Sequence, residues 1–168
     1  VGTFSSGNID FGNDVILTPN ENNGSRGYRD GMIIKYDING NVEWAKAIGG
    51  DWEDEVSSVA TTENGGLIAG GYFGSSSIEL ENGIKLDNDT VYIKGMVIKF
   101  ENKDLGNPIV TNAKGIGGSA GEVINSVAET RDGGYIAGGY FSSSSIDLGN
   151  GVTLTNNGND DGMIVKYS

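Results

Sequence analysis

The stretch "GGYFSSSSIDLGNGVTL", Gly138–Leu154, is nearly a second copy of "GGYFGSSSIELENGIKL", Gly70–Leu86, and a looser third version, "VGTFSSGNIDFGNDVIL", occupies Val1–Leu17. The tail of each unit recurs as well, in "DGMIIKY" from Asp30, "KGMVIKF" from Lys94 and "DGMIVKY" from Asp161. Between these lie "VEWAKAIGG" from Val42 and "IVTNAKGIGG" from Ile109, then "VSSVATTENGGLIAGGYF" from Val56 and "INSVAETRDGGYIAGGYF" from Ile124. The spacing from Lys94 to Asp161 is 67 residues, so the chain holds roughly two and a half units of one repeat.

Each unit divides into four short β candidates separated by Gly, Asn and Asp. In the middle unit these are A (Val56–Thr62), B (Gly66–Phe73), C (Gly95–Phe100) and D (Ile109–Ile116). Asn64-Gly65 and Asp132-Gly133 between A and B are preferred dipeptides of tight hairpins. In C the period of two places Met32, Ile34 and Tyr36 on one side, with Met96, Ile98, Phe100 and Met163, Val165, Tyr167 as counterparts. Strand B alternates apolar residues with Gly and Ala, which lets a neighbouring sheet approach closely.

The opening stretch falls between B and C. Ile78, Leu80, Ile84 and Leu86 alternate with polar residues around Asn82-Gly83, as an inserted hairpin with a tight turn would require. Four antiparallel strands per repeat, apolar on both faces, predict an all-β fold of β-propeller blades, each with this extra hairpin on one rim. A β-sandwich does not explain a four-stranded repeat. On this reading residues 1–50 are a partial blade (strands B–D), 51–118 a full blade and 119–168 a partial blade (A–C), all in one segment. An incomplete set of blades leaves apolar faces to cover, so the expected partners are other blades of a longer chain or further copies of this one.

Composition narrows the function classes. The 168 residues include 29 Gly but 2 Pro, and carry a formal net charge of -12. Such a surface repels phosphate backbones and anionic lipid, so nucleic acid is not expected as a partner. No apolar run is long enough for membrane insertion as a helix. Without Cys or His the chain lacks disulfides, thiolate metal sites, the usual general base and the commonest zinc ligand. It opens on "VGTF", from which a processed or cut N-terminus is expected.

The run "GGYF…SSIDLGNGVTL…DGMIVKY", with "KYDINGNVEWAKAIGGDWEDEVSSVA", resembles the bacterial β-propeller repeat family known as SBBP. The likeness covers nearly the whole chain, departing at Asn112, where the first repeat has Trp44, and at the lengthened turn "ENKDLGNP". It implies a secreted or cell-surface propeller and no catalytic residues.

Chemistry-bearing candidates are few. "DINGNVE" offers oxygens at Asp37, Asn39 and Asn41, spaced as in calcium loops, but lacks the glycine and the bidentate glutamate of the helix-loop-helix site. Asp160 and Asp161, in "NNGNDDG", and the stretch "DNDT" from Asp87 are further calcium candidates. "DWEDE", Asp51–Glu55, gathers four carboxylates, of which the next repeat keeps only Glu122, so the cluster as such is not repeated. Glycan-cleaving propellers carry "SxDxGxTW" turns. Here Asp37, Gly40 and Trp44 have the wrong spacing, and Arg26, Arg29 and Arg131, the chain's arginines, all fall in turns. Sequons stand at Asn23 and Asn88. The expectation is a non-enzymatic extracellular or cell-surface scaffold or interaction module, without a cofactor unless calcium, presenting its hairpins to protein or glycan. The alternatives are a calcium-stabilised carbohydrate-binding propeller and, last, a glycan-processing enzyme.

Overall fold

The computed structural model describes residues 1–19, 28–102 and 106–168, so the sequon at Asn23, Arg26 and the middle of the lengthened turn lie outside it. The chain is all-β. The first unit holds β1 (Gly2–Phe4), a small hairpin of β2 (Ile9–Asp10) and β3 (Ile16–Leu17), then β4 (Asp30–Tyr36) and β5 (Val42–Ile48). The second holds β6 (Asp54–Thr61), β7 (Leu67–Phe73), hairpin β8 (Ser77–Glu79) and β9 (Lys85–Asp87), β10 (Lys94–Asn102) and β11 (Pro108–Ile116). The third holds β12 (Glu122–Glu129), β13 (Tyr135–Phe141), hairpin β14 (Ser145–Gly149) and β15 (Val152–Thr155), and β16 (Asp161–Tyr167). They form three antiparallel meanders in the same order: β1-β4-β5, β6-β7-β10-β11 and β12-β13-β16, with each hairpin inserted between the second and third strands of its unit. Among the described residues no helix is long and apolar enough to cross a membrane.

Turn chemistry explains the connections. Asn82 and Gly83 have φ of 60° and 70°, and Asn150 and Gly151 of 53° and 75°, the mirror-image turn that suits the right-handed twist of paired strands. The β6–β7 turn differs from the two-residue turn its Asn-Gly suggests. Only Gly65 has positive φ, and Thr62 N–H bonds Gly66 O at 3.0 Å, so the loop is longer and Gly alone takes the left-handed position.

Bulges set which residues share a face. A register shift between Val56 and Ser58 recurs between Ile124 and Ser126. The extra residue, Asn125, turns Ile124 and Val127, three apart, to the same side. Both then bury against the second sheet.

Two cores follow from this stacking. In the first, Ile33, Trp44 and Ile48 of the first sheet meet Val56, Leu67, Phe73, Met96, Ile98 and Phe100 of the second. In the other, Ile68, Val97 and Ile116 on the opposite face of the second sheet meet Ile124, Val127, Ala137, Met163 and Val165 of the third. The middle sheet is therefore apolar on both sides, which is why its strands lack the clean polar alternation of a half-exposed sheet.

The hairpins close the outer edges. Ile78 and Leu86 bury in the first core, and Ile146 and Leu148 in the second. At the hairpin tip Asn82 Nδ2 donates to Val110 O at 2.8 Å, and Val110 N–H donates to Glu81 Oε2 at 3.2 Å. Side chains thus pair the free edge of β11 as another strand would, and remove an aggregation-prone template.

Candidate functional site

The chemistry-bearing side chains gather at the two junctions between sheets, where a latch is built twice from the same parts. In the first copy Asp54, fully buried, accepts from Ser75 Oγ at 2.6 Å and from Gly50 N–H at 2.9 Å through Oδ2. Its Oδ1 accepts from Gly74 N–H at 3.2 Å and Ser75 N–H at 3.3 Å, while Ser75 Oγ accepts from Trp52 N–H at 2.9 Å. In the second copy Glu122, also fully buried, accepts from Ser143 Oγ, from Ser143 N–H at 3.2 Å and from Gly118 N–H at 3.1 Å, and Ala120 N–H donates to Ser143 Oγ at 2.8 Å. The carboxylate joins the loop leaving one sheet to the serine bend after the second strand of the next.

Close approach explains the paired glycines. A Cβ on Gly50 would lie 2.4 Å from Ser77 O, and one on Gly118 would lie 2.7 Å from both Ser143 Oγ and Ser145 O. A Cβ on Gly49 would lie 2.2 Å from Asp30 Oδ1, and one on Gly117 would lie 2.5 Å from Lys94 Cγ. Asp30 and Lys94 occupy equivalent positions, so the first junction buries two carboxylates where the second sets Lys94 beside the glycine next to Glu122. Burial, opposed by the Ser75 and Gly50 bonds and assisted by Asp30, pushes the Asp54 carboxyl up to about 6.

A backbone bond completes each latch. Asp54 N–H donates to Arg29 O at 2.8 Å, and Glu122 N–H to Ile93 O at 3.1 Å. This bond across sheets starts β6 at Asp54, two residues before the Val56 that periodicity alone marks.

The junctions differ at their outer ends. In the first, Trp44 fills the space beside Leu67 and Phe100. In the second these positions are Asn112, Tyr135 and Tyr167, and a cleft of about 440 Å³ opens, lined also by Lys99, Glu101 and Asn150. The Tyr135 and Tyr167 rings lie 5.1 Å apart, with Lys114 Nζ 4.6 Å from the Tyr167 ring centre and donating to Leu148 O at 2.7 Å. The Tyr167 hydroxyl is buried without a hydrogen-bond partner among the described residues, and burial next to Tyr135 pushes it up to about 12. Aromatic rings, amides and charged groups of both signs suit a polar ligand with some apolar surface.

The other candidates are engaged in turns. Asp37 Oδ1 accepts from the N–H groups of Asn39 and Asn41, both at 2.8 Å, and Asp37 Oδ2 from Asn41 Nδ2 at 3.0 Å. Those bonds hold its carboxyl below the usual range. Asp160 accepts from Ser142 Oγ, and Asp161 from Asn157 N–H at 2.8 Å. Among the described residues no three Asp or Glu side chains converge as metal ligands.

"DWEDE" divides rather than acting together. Asp51 binds Ser76 N–H and Oγ at 2.8 and 2.9 Å, Trp52 stacks its ring on Tyr28, Glu55 accepts from Ser57 Oγ at 3.0 Å, and Asp54 is the one carboxylate of the four that enters the latch. The carboxylate retained in the next repeat is therefore the repeated device, visible in sequence as Gly-Gly-x-x-x-Asp/Glu with a serine 21 residues later. In the sequon at Asn88, Nδ2 donates to Tyr92 O at 2.8 Å and Oδ1 accepts from Thr90 Oγ1 at 2.8 Å. Compared with known proteins, the chain matches no family model and no curated relative.

Proposed function

We propose that this chain is a non-catalytic scaffold of β-propeller type, secreted or at the cell surface, that binds protein or glycan on its outer rim. The observation that carries the reading is the duplicated latch: the buried carboxylates, which would be the first acid–base candidates, are each satisfied by serine and backbone donors as joints between sheets. The resemblance of the repeats to SBBP units supports the propeller geometry and the extracellular location. The cleft beside Asn112 offers Lys99, Glu101 and Asn150 to a ligand.

Immobilised chain screened against glycans and extracellular proteins should retain ligands whose binding is lost on changing the hairpin tips or the cleft. Turnover of chromogenic glycosides above a heat-treated control would overturn the non-catalytic reading. The cleft favours a second version, a carbohydrate-binding propeller, and melting with calcium and with chelator tests its metal dependence. A shift of several degrees is the calcium-stabilised outcome.

A further inference from the structure

We propose that the pocket where the β5–β6, β7–β8 and β9–β10 loops meet binds an organic cation, a guanidinium or alkylammonium group. The inference rests on the reading of the chain as a binding scaffold and adds a site and a ligand chemistry. The pocket, of about 280 Å³, is lined by Asp51, Trp52, Gly74, Ser76, Thr90 and Val91. Trp52 is 47% exposed and Val91 94%, so an indole and an isopropyl group stand in water beside a carboxylate.

The second junction shows that the latch works without these side chains. There the counterparts of Asp51, Trp52 and Gly74 are Ser119, Ala120 and Ser142, and the loop before β16 has Gly158 and Asn159 in place of Val91 and Tyr92. Ala120 N–H makes the bond to Ser143 Oγ that Trp52 N–H makes to Ser75 Oγ, so the indole is an addition to the joint rather than a part of it. The indole is also seated. A Cβ on Gly74 would lie 2.6 Å from Trp52 Cδ1, and Tyr28 stacks on the ring with 4.4 Å between centroids. A ring fixed in this way meets a ligand with little further loss of freedom.

The hydrogen bonds around the pocket select the charge of the ligand. Ser76 N–H and Oγ both donate to Asp51, Gly74 N–H donates to Glu53 O at 2.8 Å, and Thr90 Oγ1 donates to Asn88 Oδ1 at 2.8 Å. Those donors are spent. Each Asp51 oxygen accepts one of the Ser76 bonds and keeps a further lone pair, and among the described residues no Lys or Arg pairs with it. The Ser76 N–H bond also holds its carboxyl below the usual range. An organic cation supplies N–H groups for Asp51, attraction to the indole face and hydrocarbon to lie against Val91. The formal net charge of -12 draws such a group in and repels anions. A neutral sugar finds few free donors here for its hydroxyl oxygens.

The test uses the full chain labelled with nitrogen-15, whose 2 Trp give two indole N–H signals that Trp52→Phe assigns. The probes are ethylguanidinium, the peptide acetyl-Gly-Arg-Gly-amide, the same peptide with citrulline for arginine, and a set of neutral saccharides. Both cations are expected to shift the Trp52 signal saturably while that of Trp44, buried in the first core, stays still. The citrulline peptide, neutral and nearly the same shape, should bind at least about tenfold more weakly. Asp51→Asn keeps the side chain's shape and should weaken the cations at least about threefold, as should added salt. Tighter binding of the arginine peptide than of ethylguanidinium would identify a basic side chain of a partner protein as the source, and equal binding a small free cation. Equal affinity for the arginine and citrulline peptides would overturn the proposal, as would the absence of any saturable shift with the cations. A Trp52 shift with saccharides and none with cations would also overturn it, while leaving the scaffold reading in place.

Discussion

Asp54 is a fully buried carboxylate whose surroundings resist its ionisation. Its carboxyl titrates near 6 when folded, against 3.8 for a free side chain, so the folded state holds the proton more tightly than the unfolded chain. The contribution is therefore fully present below about pH 4 and is lost as pH rises through 6, a loss on the order of 2–3 kcal/mol by neutral pH. Urea unfolding at pH 4.5 and 7.5 should show this difference relative to Asp54→Asn, which cannot ionise. A variant with the same pH slope as the parent would contradict it. The serines give a second prediction at this scale. Ser75→Ala and Ser143→Ala each remove a donor to a buried carboxylate and the acceptor for Trp52 or Ala120 N–H, and are expected to cost about 1–3 kcal/mol apiece. The two latches share no partner, so the double variant should lose nearly the sum.

At the scale of elements, the cleft lies where Trp44, Leu67 and Phe100 of the first junction are replaced by Asn112, Tyr135 and Tyr167. Trp44 buries in the first core, while its counterpart Asn112 is exposed and leaves the second junction open. Asn112→Trp is expected to close the cleft and to add about 1–2 kcal/mol of stability through buried apolar area. Its indole fluorescence should be blue-shifted, and a solvent-exposed spectrum with unchanged stability would refute the equivalence of the two positions. Any ligand held in the cleft should be lost with the same substitution. The hairpins act as edge caps. Glu81→Ala with Asn82→Gly removes the groups that pair Val110 while keeping the turn, and should raise the aggregation rate of the folded protein more than it lowers the unfolding midpoint.

For the whole molecule, stability should be graded from the middle outward. The second sheet buries both faces, with Met96, Ile98 and Phe100 on one side and Ile68 and Val97 on the other. Hydrogen exchange is expected to be slowest in β7 and β10 and faster in β4 and β16, whose sheets bury one face each. Protection in β16 equal to that in β10 would show that the third sheet is not an end of the stack. A net charge of -12 on this frame also favours cationic or neutral partners over acidic ones.

Much of this was legible in the residues. The repeat, the strands of each unit and the hairpin between the second and third follow from local periodicity and from Gly and Asn placement, which act over a few residues and so survive in a linear reading. The latch was half visible: Gly49-Gly50 and Gly117-Gly118 recur, but nothing in the line of sequence says that Ser75 meets Asp54, because the contact joins segments 21 residues apart that only the pairing of β6 with β7 brings together. The bulge after Val56 was invisible for the same reason, being set by which neighbour the strand must cover. Sequence alone determined that Ile33, Val97 and Ile164 are equivalent. Only the tertiary structure decided that two are buried and one is bare, since burial depends on whether another sheet lies against the face.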